Sequence, residues 1–323
     1  MRYVNIPGTT LSPSVIALGT NRFGSLMNRD DSFALLDAYI ELGGTFIDTA
    51  HIYADWIPGA PHSASEKTIG AWLHKQNCRA QVVLATKVGH PNLKTPHISR
   101  LSAQELLDDL AESLEFLQTD YVDLLWLHRD DPGLPVGEIV DAMNQVIRTS
   151  KVKHVGCSNW RAPRIREANA YAHTHGLCGF VANQPQWSLA IPNREALSDP
   201  ERLVVFGAQD YTWHSEMGMA VIAYSAQAQG FFEKLDRLGI AGMTDKDRRG
   251  YYSEANARLL PVVKSLAAKH QVSINALALS YLLAQPFVTI PVVGPRTVEQ
   301  LRDSIVAVDV LLSHDELNQL QIK

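Results

Sequence analysis

Eight short runs of β-branched and other apolar residues recur along the chain, with segments of helical periodicity between them. The runs are SVIALGT, TFIDTA, QVVLATK, YVDLLWLH, VKHVGCSN, FVANQPQ, MAVIAYS and VTIPVVG. Apolar residues three or four apart mark DSFALLDAYIEL, SEKTIGAWLHK, SAQELLDDLAESLEFL, VGEIVDAMNQVIRTS and PVVKSLAAKHQ as amphipathic helices. Ser102 stands three residues before Glu105, the spacing of a capping box, and Asp30 or Asp31 is placed to open the first helix. Strands separated by helices pair in parallel through right-handed crossovers, and continuously apolar strands need cover on both faces. Eight such units in 323 residues fit a closed (β/α)8 TIM barrel better than an open sheet, whose Gly-x-Gly-x-x-Gly dinucleotide fingerprint is missing. No linker-like composition, low-complexity tract or run of like charge divides the chain, so residues 1–323 read as a single barrel domain. The opening RYVNIPGTTLSPS reads as an N-terminal β-hairpin with a Pro-Gly turn, placed to close the bottom of the barrel.

In a parallel barrel every strand leaves at the same rim, so residues at the C-terminal ends of the strands converge however far apart they lie in sequence. Read in order, those ends carry Asp48 with Tyr53 five residues on, Lys87, His128, Ser158 with Asn159, Gln184, Tyr224 with Ser225, and finally GPRT. Taken singly, Asp48 reads as a cap, Tyr53 as a packing residue and Lys87 as a snorkelling surface cation. Together, at the ends of largely apolar strands, they read as a site. The chemistry that suits Asp, Tyr, Lys and His is proton donation to a carbonyl. A free phenol titrates near about 10 and is a poor acid at neutral pH. A neighbouring ammonium favours the phenolate, and an aspartate keeps that ammonium charged and fixed. A histidine can orient the carbonyl oxygen. Reduction also needs a hydride, which no side chain supplies, so a nicotinamide cofactor is implied.

Composition narrows the partners. A formal net charge of −5 and a pI near 6.2 give no basic footprint for nucleic acid or an anionic membrane, which leaves small molecules. Cys78, Cys157 and Cys178 are odd in number and contain no Cys-x-x-Cys pair, which argues against a disulfide framework or a thiolate zinc site. The N-terminal MRYVNIPGTTLSPS lacks an apolar signal core, and NALALSYLLA is too short to span a bilayer. A cytoplasmic location is expected, and no metal.

The segments FIDTAHIY, ATKVG, LLWLHRDDP, VGCSNW, NQPQWSL, YSAQAQGFF and GPRTVEQLRDS together resemble the aldo-keto reductase superfamily, and within it the bacterial general-stress and sugar-reductase type. The likeness runs from about Gly19 to Ser304 and takes in all eight units. It implies Tyr53 as general acid, Lys87 and Asp48 as the groups that tune it, and His128 as the residue that positions the carbonyl. Ser158, Asn159 and Gln184 would hold the nicotinamide carboxamide, with Trp187, where Tyr is usual, stacked on its ring. Tyr224, Ser225, Gln227 and Gly230 would follow the cofactor towards the pyrophosphate, although Ala226-Gln227 replaces the usual Pro-Leu. Gly294, Arg296, Gln300, Asp303 and Ser304 would receive the adenosine end, Asp303-Ser304 replacing a common Glu-Asn. An arginine at position 296 favours NADPH over NADH, because it can make charge-assisted bonds to a 2′-phosphate. Gly19, Thr20 and Asn21 would line the first strand's exit.

The loop ADWIPGAPHSASE brings Trp56 to the substrate side, as a pocket wall or a face for a sugar ring. His51 is expected to point away from Asp48, and His62, His90 and His97 to be solvated in loops. The charged stretch from Phe231 to Tyr252 is a candidate cover for the cofactor. The leading expectation is therefore NADPH-dependent, reversible reduction of an aldehyde or ketone, sugar-derived ones included. The alternative is a cofactor-sensing regulatory protein of the same fold, like the potassium-channel β subunits. A metal-dependent hydrolase built on Asp48, His51 and His128 finds Lys87 and Gln184 where further ligands are needed.

Overall fold

Residues 1–321 are described in the computed structural model of the chain. The first half runs β1 (Ala17–Gly19), α1 (Arg29–Glu41), β2 (Phe46–Asp48), α2 (Ala64–Gln76), β3 (Val83–Val88), α3 (Ala103–Leu117), β4 (Val122–Leu127), α4 (Val136–Ile147), β5 (Val152–Ser158) and α5 (Ala162–Thr174). It continues through β6 (Ala182–Gln184), α6 (Ala208–Met217), β7 (Ala220–Ala223), α7 (Phe231–Gly242), α8 (Asp245–Tyr251), α9 (Glu254–His270), α10 (Ile274–Leu283), β8 (Thr289–Val293), α11 (Val298–Val306) and α12 (His314–Leu320). Neighbouring strands pair in parallel in chain order and β8 returns to β1, so the eight strands close into the expected (β/α)8 barrel. Among the described residues no helix is long and apolar enough to cross a membrane.

The helices form where the apolar stripes lie. Ser102 and Glu105 make the anticipated capping box on α3. The cap of α1 is Asn28, whose side-chain oxygen accepts from the Asp31 N–H at 2.9 Å, so Asp30 and Asp31 lie inside the first turn, where their charge suits the helix dipole. Helix α9 begins well ahead of the Pro261 that suggested its start. Ser253 caps it, and the buried stripe of Leu259, Val263 and Leu266 carries it through the proline's missing N–H.

The N-terminal hairpin is held by the Val4 N–H to the Pro13 oxygen and the Ile6 N–H to the Leu11 oxygen, both 3.0 Å. Ile6 and Leu11 pack with Ala17, Phe46, Leu124, Ala182, Ala220 and Ile290, so the hairpin closes the barrel from below. Tyr39 of α1 ties this end together. Its buried hydroxyl lies 2.7 Å from the Ile16 oxygen and 2.9 Å from the Phe46 oxygen, and it accepts from the Phe46 N–H at 3.1 Å. Burial holds that phenol in its protonated form. Tyr39→Phe would remove the hydroxyl from this buried network, leaving Ser14 alone to serve the Ile16 oxygen and the Phe46 N–H, so urea unfolding should show a loss of about 1–3 kcal/mol.

Candidate active site

Strand alternation decides which side chains reach the rim. Phe46, Ala85, Leu124 and Ala182 face the barrel interior. Two residues further along the same strands stand Asp48, Lys87, Trp126 and Gln184, and two beyond Trp126 stands His128, so all of these turn towards the barrel axis at the C-terminal end. The register places Asp48 opposite Ala85, Lys87 opposite Trp126, and Ser158 opposite Gln184. Trp126 can lie across the rim because its neighbour on β5 is Gly156, where an added Cβ would meet the indole at 2.4 Å.

Asp48 is the hub. Its Oδ2 accepts from the Lys87 ammonium at 2.6 Å, and its Oδ1 accepts from the Trp126 indole at 3.1 Å and the Gln184 amide at 2.9 Å. Lys87 also donates to the Thr49 oxygen at 2.7 Å, and its Nζ lies 4.6 Å from the centre of the Tyr53 ring. Burial favours the neutral amine, yet Asp48 and Tyr53 outweigh it, so Lys87 is held charged above its ordinary range. For Tyr53 burial pushes the phenol up and Lys87 pulls it down, while Asp48 works against Lys87. Lys87 lowers the phenol as expected, but the net direction is upward because burial outweighs it. The lysine limits a rise that burial imposes.

His128 packs edge-on against Tyr53, with ring centres 6.1 Å apart. Burial drives its pKa well below 6.5, with His90, Arg129 and Lys87 adding to the effect, so the imidazole is neutral at neutral pH. Its buried Nδ1 has no hydrogen-bond partner among the described residues. His90, expected to be solvated, instead packs 4.7 Å from His128, and burial followed by Arg129 takes its pKa down to about 4. The part-buried Arg129 donates to the His128 oxygen at 3.1 Å. Trp56 is exposed and stands edge-on to Tyr53 at 5.8 Å. Trp126, His90 and Arg129 escaped the sequence reading. The signal for Trp126 was present, since it shares the parity of Leu124 and His128.

The other anticipated contacts divide. Ser158 donates to the Gln184 oxygen at 2.8 Å, and Asn159 donates to Ser158 at 3.1 Å while accepting from the Tyr224 hydroxyl at 2.8 Å. These side chains therefore form one polar cluster beside Asp48. Gln227 of the loop after β7 donates to Ser304 of α11 at 3.2 Å, and the Arg296 N–H donates to the Gln300 side chain of the same helix at 2.8 Å. Ser225, Ala228 and Gln229 all have positive φ before Gly230, an unusual run of left-handed backbone outside glycine. Gly294 is exposed with open space beyond it, and Asn21 is also exposed. Gly19 borders Val292, which an added Cβ would meet at 2.8 Å.

Three side chains are turned elsewhere. Thr20 is buried and donates to the Asp48 main-chain oxygen at 3.0 Å, with Ser65 of α2 packed on its hydroxyl at 2.9 Å. Asp303 accepts from Ser273 at 2.8 Å, which draws its carboxylate to the start of α10. Trp187 is stacked on Phe206 at 4.2 Å and lies near Phe287, Tyr211 and Tyr281, in a cluster that also holds Val221 and Ala223. The reason is parity: three residues from Gln184 is an odd step, so the indole faces the helical layer rather than the rim. Tyr224, two positions beyond the inward-facing Ile222, is the aromatic that reaches Asn159.

Residues 15–323 match the family model described as the Aldo/keto reductase family. The chain is an aldo-keto reductase. It is 33% identical to the uncharacterized oxidoreductase YrpG of Bacillus subtilis over 99% of this chain and 95% of that protein. It is 30% identical to the norsolorinic acid reductase stcV of Emericella nidulans, over 98% of this chain and 79% of that one. The crystal structure of the thermostable aldo-keto reductase Tm1743 with the inhibitor epalrestat superimposes with a TM-score of 0.73 at 25% identity, covering 99% of this chain and 98% of that one. The family carries out carbonyl reduction with nicotinamide cofactors. For this aldo-keto reductase the placement of Trp187 has a direct consequence. Trp187→Ala should cost about 3–5 kcal/mol in urea unfolding. Trp187→Phe, which keeps the stack, should leave nicotinamide-cofactor affinity within about twofold of the parent by fluorescence titration, since the ring faces away from the rim.

Proposed function

We propose that the protein reduces an aldehyde or ketone to the alcohol with NADPH, and that Tyr53 delivers the proton. The observation that carries this reading is the buried set of Asp48, Lys87 and a neutral His128 with the part-buried Tyr53 at one rim. A bound nicotinamide would supply the hydride to the carbonyl carbon. Two features suit such a ligand: the unpartnered Nδ1 of His128 and the polar cluster of Ser158, Asn159 and Gln184 beside it. Tyr224 takes the stacking place first given to Trp187.

In the reducing direction the developing alkoxide needs a proton and a donor to hold it in line. Tyr53 keeps its proton through neutral pH because burial raises it, and the charged Lys87 beside its ring stabilises the phenolate left after transfer. Asp48 fixes Lys87, and His128, being neutral, can donate an N–H to the carbonyl oxygen without adding charge. The reverse oxidation uses the same groups, with the phenolate as base. Trp56 provides an aromatic wall at the mouth, which suits aryl or sugar-derived carbonyls.

Preference for NADPH rests on Arg22 and Arg296. Burial, followed by the charge of Arg296, lowers the pKa of Arg22, so two guanidinium groups from the β1 and β8 exits stand close enough to repel. A 2′-phosphate would relieve that repulsion with charge-assisted bonds.

With NADPH and a reactive aromatic aldehyde, Tyr53→Phe should cut turnover by about 10²–10⁴-fold while NADPH affinity holds. Matched turnover in the two proteins would remove Tyr53 as the donor. Arg296→Ala should weaken NADPH on the order of 10- to 100-fold and leave NADH almost unchanged, and equal losses would refute the 2′-phosphate assignment. The pH profile carries a sign. A phenol raised above 10 stays protonated through neutral pH, so reduction should hold its rate there and decline as the pH rises past 10. His128, lowered well below 6.5, should produce no loss between pH 8 and 6, which stopped-flow hydride transfer can read.

A further inference from the structure

Behind Tyr53, on the outer side of the barrel, three metal-ligating side chains meet that the catalytic reading leaves unused. His51 and His62 come from the loop between β2 and α2, and Glu112 from α3. One ligand atom from each lies within 4.8 Å of the others. The His51 Nε2 is 2.9 Å from the Glu112 Oε2, and the His62 Nε2 is 3.6 Å from the same oxygen. A tetrahedral zinc ion with bonds of about 2.0–2.1 Å needs its ligand atoms roughly 3.3–3.4 Å apart. The two observed separations bracket that value.

The proton inventory points the same way. A carboxylate only accepts, so the His62 Nδ1, 2.7 Å from Asp55, carries the ring's proton and its neutral Nε2 presents a lone pair to the Glu112 oxygen. That lone pair and the Glu112 oxygen lie side by side and open to a cation, while the His51 Nε2–H that donates to Glu112 would give up its proton on metal binding. The His51 ring also has a carboxylate behind it, with Asp109 3.8 Å from its Nδ1. The Asp55 carboxylate hydrogen-bonded to the His62 Nδ1, fixing the ring and leaving Nε2 outward, is the arrangement that an outer partner gives to a metal-bound histidine, whereas Asp109 is held by Gly89 and Arg100. Glu112 and His62 are about half exposed, so an ion has an open path and water can complete the coordination.

We propose that His51, His62 and Glu112 form a site for a divalent transition metal, zinc being the best match to two imidazoles and a carboxylate. Asp55 is its outer partner. The ion would pin the loop that carries Tyr53 and Trp56 to α3. The sequence reading anticipated no metal, because the three ligands come from separated positions and His62 looked like an ordinary loop histidine.

The test is calorimetric titration of the tag-free full chain with zinc chloride, alongside the visible spectrum of cobalt(II) added in its place. One ion per chain is expected, with a tetrahedral cobalt spectrum and a higher melting temperature in zinc. His62→Gln and Glu112→Gln, both at the surface, should abolish stoichiometric binding while leaving the metal-free melting temperature close to the parent. Asp55→Asn should weaken zinc by about 10–100-fold, as loss of an outer partner does. His90→Gln tests the other pair of neighbouring imidazoles, His90 and His128, and should leave binding intact. No saturable binding, or binding lost in His90→Gln and kept in His62→Gln, would overturn the site.

Discussion

The Asp48 carboxylate and the Lys87 ammonium meet at 2.6 Å with almost no contact with water. Desolvating two such charges costs several kcal/mol each, and attraction repays this only when the remaining donors and acceptors are also satisfied. Here they are: the Trp126 indole and the Gln184 amide fill the second carboxylate oxygen, and the Thr49 oxygen takes another ammonium proton. Each partner depends on the barrel. Trp126 needs Gly156 beside it, and Gln184 needs β6 in register with β5. The pair is thus weak evidence for stability and strong evidence for a polar function that the closed sheet was built to hold.

The strands and most helices were legible because both signals are local. An apolar run bounded by polar residues fixes a strand, and a stripe of spacing three and four fixes a helix, so seven of the eight strands fall within the runs read from the sequence and β3 overruns its run by one residue, Val88. The rim was legible for a less local reason: parallel closure forces every strand end to one face, which gathered Asp48, Lys87, His128, Ser158 and Gln184 without any knowledge of their contacts. What failed was parity outside the strands. Trp187 was taken by analogy of position, whereas an odd step from Gln184 sends it outward against Phe206. His90 lies just beyond β3, where no periodicity speaks, and its packing on His128 depends on the path of a loop. The net direction of the Tyr53 pKa was also out of reach, because burial is a property of the assembled site.

The same alternation builds a second polar layer outside the barrel. Thr86, between the inward Ala85 and Lys87, turns out to bond the buried Glu66 of α2 at 2.5 Å, and burial keeps that carboxyl inclined to its neutral form. Thr49 follows Asp48 and bonds Ser65 of α2 at 2.9 Å. These contacts fix α2 against the strands that carry Asp48 and Lys87. The loop between β2 and α2 runs between the two layers, with Tyr53 beside Lys87 on one side and His51 against α3 on the other. A change in how that loop is held on its outer side can therefore alter the phenol's position without touching the pocket.

Electrostatics at the mouth runs against the sign of the whole chain. The formal charge is −5, yet Arg22, Arg129 and Arg296 stand around the rim. Charges more than about 8 Å away through physiological saline are largely screened, so the overall negative charge does little to repel an anionic ligand already at the mouth. The nearby guanidinium groups act over shorter distances and partly out of water, and there they dominate. The charge of Arg296 adds to the cost of keeping Arg22 charged, and an anion placed between the two guanidinium groups would offset that cost as well as adding its own bonds.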